Sequence, residues 1–145
     1  MAKPIETSID IAASPGRVWQ VLTDFQAYPD WNPYMVEIQG VAEPAARLVV
    51  KLAVPAGPPI RLTPTVTVAE AERELRWTGQ LLAPGLFDGD HWFTLEPLPG
   101  GRTRLAHGET FAGVFMPMFR PLVVGHTRAG FNAMNRALKA RAEAG

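Results

Sequence analysis

The sequence predicts an α+β fold: a seven-stranded, curved antiparallel sheet wrapped around a long C-terminal helix, with two short helical pieces after the first strand. Three observations carry that prediction. Runs with apolar residues at every second position recur along the chain, the mark of half-buried strands. Proline and glycine cluster between those runs, so connections are short and neighbours pair antiparallel. Towards the C-terminus the apolar spacing changes to that of a helix, whose broad face needs the sheet to lie on.

The first strand is 5–11, with Ile5, Thr7, Ile9 and Ile11 on one side. Ser14-Pro15 then supplies an N-cap hydroxyl and a proline for the first helical position. Val18, Val21, Leu22 and Phe25 recur at helical spacing, giving a short helix over 15–24. Arg17 stands where Glu or Gln would complete a capping box. Two prolines in Tyr28-Pro29-Asp30-Trp31-Asn32-Pro33 break that helix. Strands are expected near 35–42, 47–54, 60–69, 74–82, 88–96 and 103–112, and Pro97-Leu98-Pro99-Gly100-Gly101 is a hairpin turn. The final helix runs from about Pro117 or Pro121 to Ala142. Val123, Thr127, Phe131, Met134 and Leu138 form its inner stripe; Arg128, Asn132, Asn135, Arg136 and Lys139 lie mostly on the other side.

At 145 residues, with no repeat or linker, the chain reads as a single domain over 1–145. Its 14 Lys+Arg balance its 14 Asp+Glu, which argues against a nucleic-acid partner and against electrostatic capture by anionic lipid. Having no cysteine, it has no disulfide, thiolate metal site or Cys nucleophile. Glu6 interrupts the N-terminus before any signal-peptide apolar run, and no stretch reaches the ~18 apolar residues of a membrane span. A cytoplasmic protein without stable membrane association is expected. No glycine-rich phosphate loop or nucleophile elbow occurs, and the histidines lack short ligand spacing, so neither a cofactor nor a metal is expected.

Several of these segments resemble the START-like, Bet v 1-like superfamily, in its bacterial SRPBCC (polyketide cyclase/dehydrase-like) branch. Near the start they are Ser14-Pro15-Gly16-Arg17-Val18-Trp19, Asp24-Phe25, Tyr28-Pro29 and Trp31-Asn32-Pro33. Later come Phe93-Thr94-Leu95-Glu96-Pro97, Gly101-Arg102-Thr103-Arg104-Leu105 and Glu109-Thr110-Phe111-Ala112-Gly113. Gly130-Phe131 and Met134-Asn135-Arg136-Ala137-Leu138 complete the set. The resemblance implies a helix-grip fold around an apolar cavity, in a group whose members bind lipids, sterols, polyketides or plant hormones and in part catalyse cyclisation or dehydration. Its motifs describe turns and core positions and do not specify a substrate.

The residues themselves point to one cluster. By strand parity His91 shares a face with Phe93 and Leu95, and His107 and Glu109 share one with Leu105 and Phe111. Pairing indices that sum to 198 place His91 opposite His107, whereas a sum of 200 places it opposite Glu109. Opposed Cβ atoms lie ~4.5–5.5 Å apart and diagonal ones ~7–8 Å, so either register brings the three within reach. Such a cluster can act as general acid or base, anchor a ligand, or be a satisfied core network.

Trp31, Asn32 and Tyr34 of Trp31-Asn32-Pro33-Tyr34, and the Phe/Met-rich run containing Phe111, Phe115 and Phe119, are candidates for the cavity mouth, or for plain packing. His126 is placed near the cavity from the helix side; Trp77, Phe93, Phe131 and Met134 are expected as apolar walls. The first reading is therefore a binding protein for a small apolar ligand (lipid, polyketide or aromatic compound), monomeric or homodimeric. The alternatives are a cofactor-independent cyclase or dehydratase using the His/Glu cluster, and an interaction protein resembling a chaperone activator of the same fold.

Overall fold

In the structure, a computed structural model describing residues 4–55, 57–81, 85–114 and 116–145 (without the side chains of Leu81 and Phe87), β1 spans Ile5–Ile11 as its alternation predicts. The Ser14 hydroxyl accepts the Arg17 N–H at 3.2 Å and opens α1, Pro15–Thr23, whose Val18, Val21 and Leu22 are buried. A 3-10 turn, Phe25–Ala27, leads into α2, Tyr28–Trp31. Pro29 therefore does not break α1, which has already ended at Thr23; it sits in the first turn of α2, where its missing N–H costs nothing. The Asn32 carboxamide oxygen accepts the N–H groups of Tyr34 and Met35 at 3.0 and 2.9 Å, turning the chain into β2, Met35–Gln39.

The remaining strands are β3 (Val49–Leu52), β4 (Ile60–Leu62), β5 (Thr65–Glu70), β6 (Glu74–Leu81), β7 (Phe87–Leu98) and β8 (Arg102–Ala112). Eight strands stand where seven are expected, because 60–69 divides at Thr63-Pro64. Proline has no N–H for the ladder; its carbonyl instead accepts the Leu48 N–H at 2.8 Å. The division produces a five-stranded sheet, β1-β8-β7-β6-β5, and a three-stranded one, β2-β3-β4, antiparallel throughout. An Arg47–Thr65 bridge and reciprocal bonds between 45–46 and Val66 join the chain leading into β3 to β5.

The final helix, α3 (Met116–Ala144), is longer at both ends than expected. Its buried residues include the predicted Thr127, Phe131, Met134 and Leu138, but also Asn135, which corrects the placement of that residue on the outer side. Asn135 follows Phe131 by one turn and so shares its face. Arg17, the residue that spoils the capping box, works elsewhere. Its guanidinium donates to the carbonyls of Arg141 and Ala142 at 3.2 and 3.3 Å, placing a cation at the C-terminal end of α3. The Lys139 ammonium donates to the Asp10 carbonyl at 2.8 Å, tying the same end to β1. Among the described residues no helix is long and apolar enough to cross a membrane.

Two glycines of α3 separate backbone propensity from packing. A methyl at Gly125 meets nothing within 4 Å, whereas one at Gly130 collides with the Tyr34 ring, itself packed edge-on to Phe131. Gly125→Ala is therefore expected to stabilise the fold by about 0.5–1 kcal/mol. Gly130→Ala is expected to destabilise it by about 1–3 kcal/mol, overpacking outweighing propensity. Urea unfolding of both variants checks the opposite signs.

Candidate functional site

The hairpin turn at Gly100 and Gly101, with φ of 82° and 73°, supports the register of its strands. That register has index sum 200: His91 faces Glu109, and Phe93 faces His107. On the inner face the side chains form one continuous buried chain. His91 Nδ1 lies 3.3 Å from Glu109 Oε1, and its Nε2 lies 2.8 Å from His107 Nε2. His107 Nδ1 is 2.9 Å from Asn135 Oδ1. The Asn135 amide nitrogen donates to the Thr7 hydroxyl at 2.8 Å, and that hydroxyl donates to the His107 carbonyl at 3.1 Å. β1, β7, β8 and α3 each contribute a member.

The chain has a direction set at its inner end. A carbonyl can only accept, so the single proton of Thr7 goes to His107 O, and Asn135 must donate to Thr7 through its nitrogen. The Asn135 oxygen then faces His107 Nδ1, which carries a proton. A neutral His107 has its lone pair on Nε2, so His91 donates from its Nε2 and keeps a lone pair on Nδ1. The last donor must be Glu109, as a protonated carboxyl donating from Oε1 to His91 Nδ1. Any ionised arrangement of the same protons sets a carboxylate or an imidazolium in a site that strips their hydration.

Burial acts the same way on each group. It lowers the His91 imidazole to about 3, against a smaller opposing pull from the Asp90 charge. Burial drives His107 well below its usual range, with His91 adding to the effect and Asn135 opposing it. It raises the Glu109 carboxyl to about 8, with the Asp90 charge adding to the shift.

Aromatic rings hold the imidazoles in place. His107 lies between Phe131, stacked at 3.8 Å and 16°, and Phe93 at 4.2 Å and 30°. Trp77 stacks on His91 at 5.1 Å and 13°. On the opposite face of the same strands, Trp92 covers Gly108, where a Cβ would come within 2.5 Å of the indole. Arg76 lies 4.9 Å above Trp92 and is paired with Glu74 and Asp90.

The outer end of the polar chain opens on a cavity of about 220 Å³. Its walls are largely aliphatic, from residues such as Met35, Val50, Leu52, Ile60 and Leu62 of β2, β3 and β4. Of the residues named from sequence, Trp77, His91, Glu109, Phe111 and His126 line it. His107 is fully buried behind His91, and Phe93, Phe131 and Met134 form core beneath the site rather than wall. Asn32 is a turn-former, and Trp31 packs edge-on against Tyr28 at 5.0 Å, so neither reaches the cavity.

Phe119 is 44% exposed. With α3 beginning at Met116, it is Met116 and Val123, two turns apart, that face inward. Phe115 lies outside the described residues. Of the Trp31-Asn32-Pro33-Tyr34 segment only Tyr34 lines the cavity; sequence reasoning missed the aliphatic wall, the lining role of Thr127 and the anchoring roles of Thr7 and Asn135. Thr7 carries a usable signal in its inner parity on β1, and Asn135 in its helical spacing from Phe131.

The chain belongs to the family described as polyketide cyclase / dehydrase and lipid transport, whose model matches residues 3–143. Solved structures with the same fold include the Zhui aromatase/cyclase from Streptomyces, with TM-score 0.80 and 20% identity over 99% of this chain and 94% of that one. A START superfamily protein from Mycobacterium smegmatis gives TM-score 0.77 and 20% identity, covering 97% of each chain. A norcoclaurine synthase point mutant from Thalictrum flavum, complexed with a transition-state analogue, gives 0.73 and 16% over 98% and 94%. No curated protein matches the chain.

The opposed shifts make stability depend on pH in a defined way. Glu109 has an ordinary value of 4.5 and a folded value of about 8, so its contribution is present below 4.5 and lost as pH rises through about 8. His91, lowered from 6.5 to about 3, contributes above 6.5 and loses that contribution as pH falls towards 3. Between pH 6.5 and 8 only the Glu109 slope remains of these two, and stability is expected to fall by up to ~1.4 kcal/mol per pH unit. Glu109→Gln should remove that decline. Urea midpoints across the interval, wild type against variant, measure it, and equal slopes would refute the assignment.

Proposed function

We propose that the chain binds a small apolar molecule, of lipid, polyketide or aromatic type, in the cavity between the sheets and α3. The observation that carries this reading is the cavity itself: an aliphatic and aromatic wall closed at one end by the Glu109–His91 pair. Apolar walls supply the free energy of transfer, and a few convergent polar groups orient the ligand. Membership of a family that includes cyclases and lipid carriers supports the same reading.

One observation favours a second reading, a cofactor-independent cyclase or dehydratase. Glu109 is a neutral acid at a cavity wall, held by a hydrogen-bonded pair of imidazoles behind it. A carboxyl whose pKa lies near 8 suits proton transfer near neutral pH.

Solvent extraction of the purified protein followed by mass spectrometry, against a mock purification, tests the first reading. A stoichiometric apolar compound is the expected result. Leu62→Trp, which fills the cavity from a half-buried strand position, is expected to purify without that compound while keeping its circular dichroism spectrum. Equal retention by the variant would place the compound elsewhere and overturn the cavity assignment.

A further inference from the structure

The two oxygens of Glu109 have different surroundings. Oε1 is engaged with His91 Nδ1. Oε2 has no hydrogen-bond partner among the described residues and lies over Gly89, where a Cβ would come within 2.6 Å of it. The absence of a side chain at Gly89, itself a lining residue, leaves the space that Oε2 occupies.

With the carboxyl proton committed to His91, Oε2 is the carbonyl-type oxygen, an acceptor. The other ionisable residues on the wall are Asp88 from β7, His91, Tyr34 ahead of β2 and His126 from α3; no Lys or Arg among the described residues lines it. Asp88 already accepts the Gly85 N–H at 3.0 Å. An anionic ligand thus finds no cation, and a cationic ligand finds Glu109 without charge and only Asp88 to pair with.

We propose that Glu109 is the specificity-determining residue of this cavity, and that it selects a neutral ligand bearing a hydroxyl, phenolic or enolic, which donates to Oε2. The proposal rests on the cavity being a site for small apolar molecules. Selection originates far from the ligand: the carbonyl of His107 sets the direction of Thr7, Asn135, His107 and His91 in turn, and so decides which protonation state of Glu109 meets the ligand. An aromatic carboxylic acid, anionic at neutral pH, is disfavoured, whereas the phenol of the same ring system is accepted.

Four probes of one ring system provide the test: naphthalene, naphthol, naphthoate and naphthylmethylammonium, titrated calorimetrically at pH 7. Wild type is expected to bind naphthol about tenfold tighter than naphthalene. Naphthoate and the ammonium compound should bind no tighter than naphthalene. Glu109→Gln should keep the naphthol preference, since a carboxamide donates to His91 Nδ1 and offers its oxygen to the ligand. Glu109→Leu should abolish the preference while still binding naphthalene.

Tightest binding of the ammonium compound would overturn the proposal, whether lost in Glu109→Gln, showing an ionised Glu109 carboxylate, or kept there, showing that Asp88 governs selection. Tightest binding of naphthoate, or a naphthol preference that survives Glu109→Leu, would overturn it equally. Naphthalene binding without discrimination would sink this inference alone, whereas failure of every probe with wild type would also remove the apolar cavity reading beneath it.

Discussion

A carboxamide held at 2% exposure on the inner face of a helix must find partners for both its ends. Asn135 finds them on two strands: the His107 ring on β8 and the Thr7 hydroxyl on β1. Each unmade bond here would strand a buried polar group, at about 1–3 kcal/mol apiece. The requirement ties the rotation of α3 about its axis to the pairing of β1 with β8, where Thr7 lies opposite His107. It also orders the protons of everything further along the chain. The site is therefore an extension of the packing that positions the helix.

The same strands carry polar groups on both faces, and the two sets behave differently. Arg76, Glu74 and Asp90 pair on the outer face with side chains about a third exposed, so water screens them and their contribution is small. On the inner face His91, His107, Phe93, Trp77 and Glu109 gather beside Phe131 of α3, largely out of water. There the missing water acts on every titratable group, raising the carboxyl and lowering both imidazoles. Strand alternation alone separates the two environments by one residue.

The polar chain also divides the interior in two. On its inner side, Phe93 and Phe131 close on His107 and leave no room for a ligand. On its outer side, β2, β3 and β4 stand away from α3 and the cavity remains. The division at Pro64 belongs to this arrangement, since Pro64 lines the cavity at the point where the second sheet departs from the first.

Period-2 alternation determined the strand faces, and with them the shared face of His91, His107 and Glu109, because a side chain's face follows from its parity. The Ser14-Pro15 start of α1 and the helical stripe of α3 were legible for similarly local reasons. The choice between index sums of 198 and 200 was not, since both keep the apolar faces together and only the built hairpin selects one. Asn135 was misplaced because a polar residue within a helical stripe reads as a boundary until two partners from distant strands meet it. The aliphatic cavity wall was hidden for a related reason: Val50, Leu52 and Leu62 look like any core residues, and only the curvature of the sheets leaves space between them and α3. Local periodicity thus determined which residues face inward. The tertiary structure decided which of them touch, and therefore where the proton on Glu109 resides, because contact and desolvation depend on residues far apart in the chain.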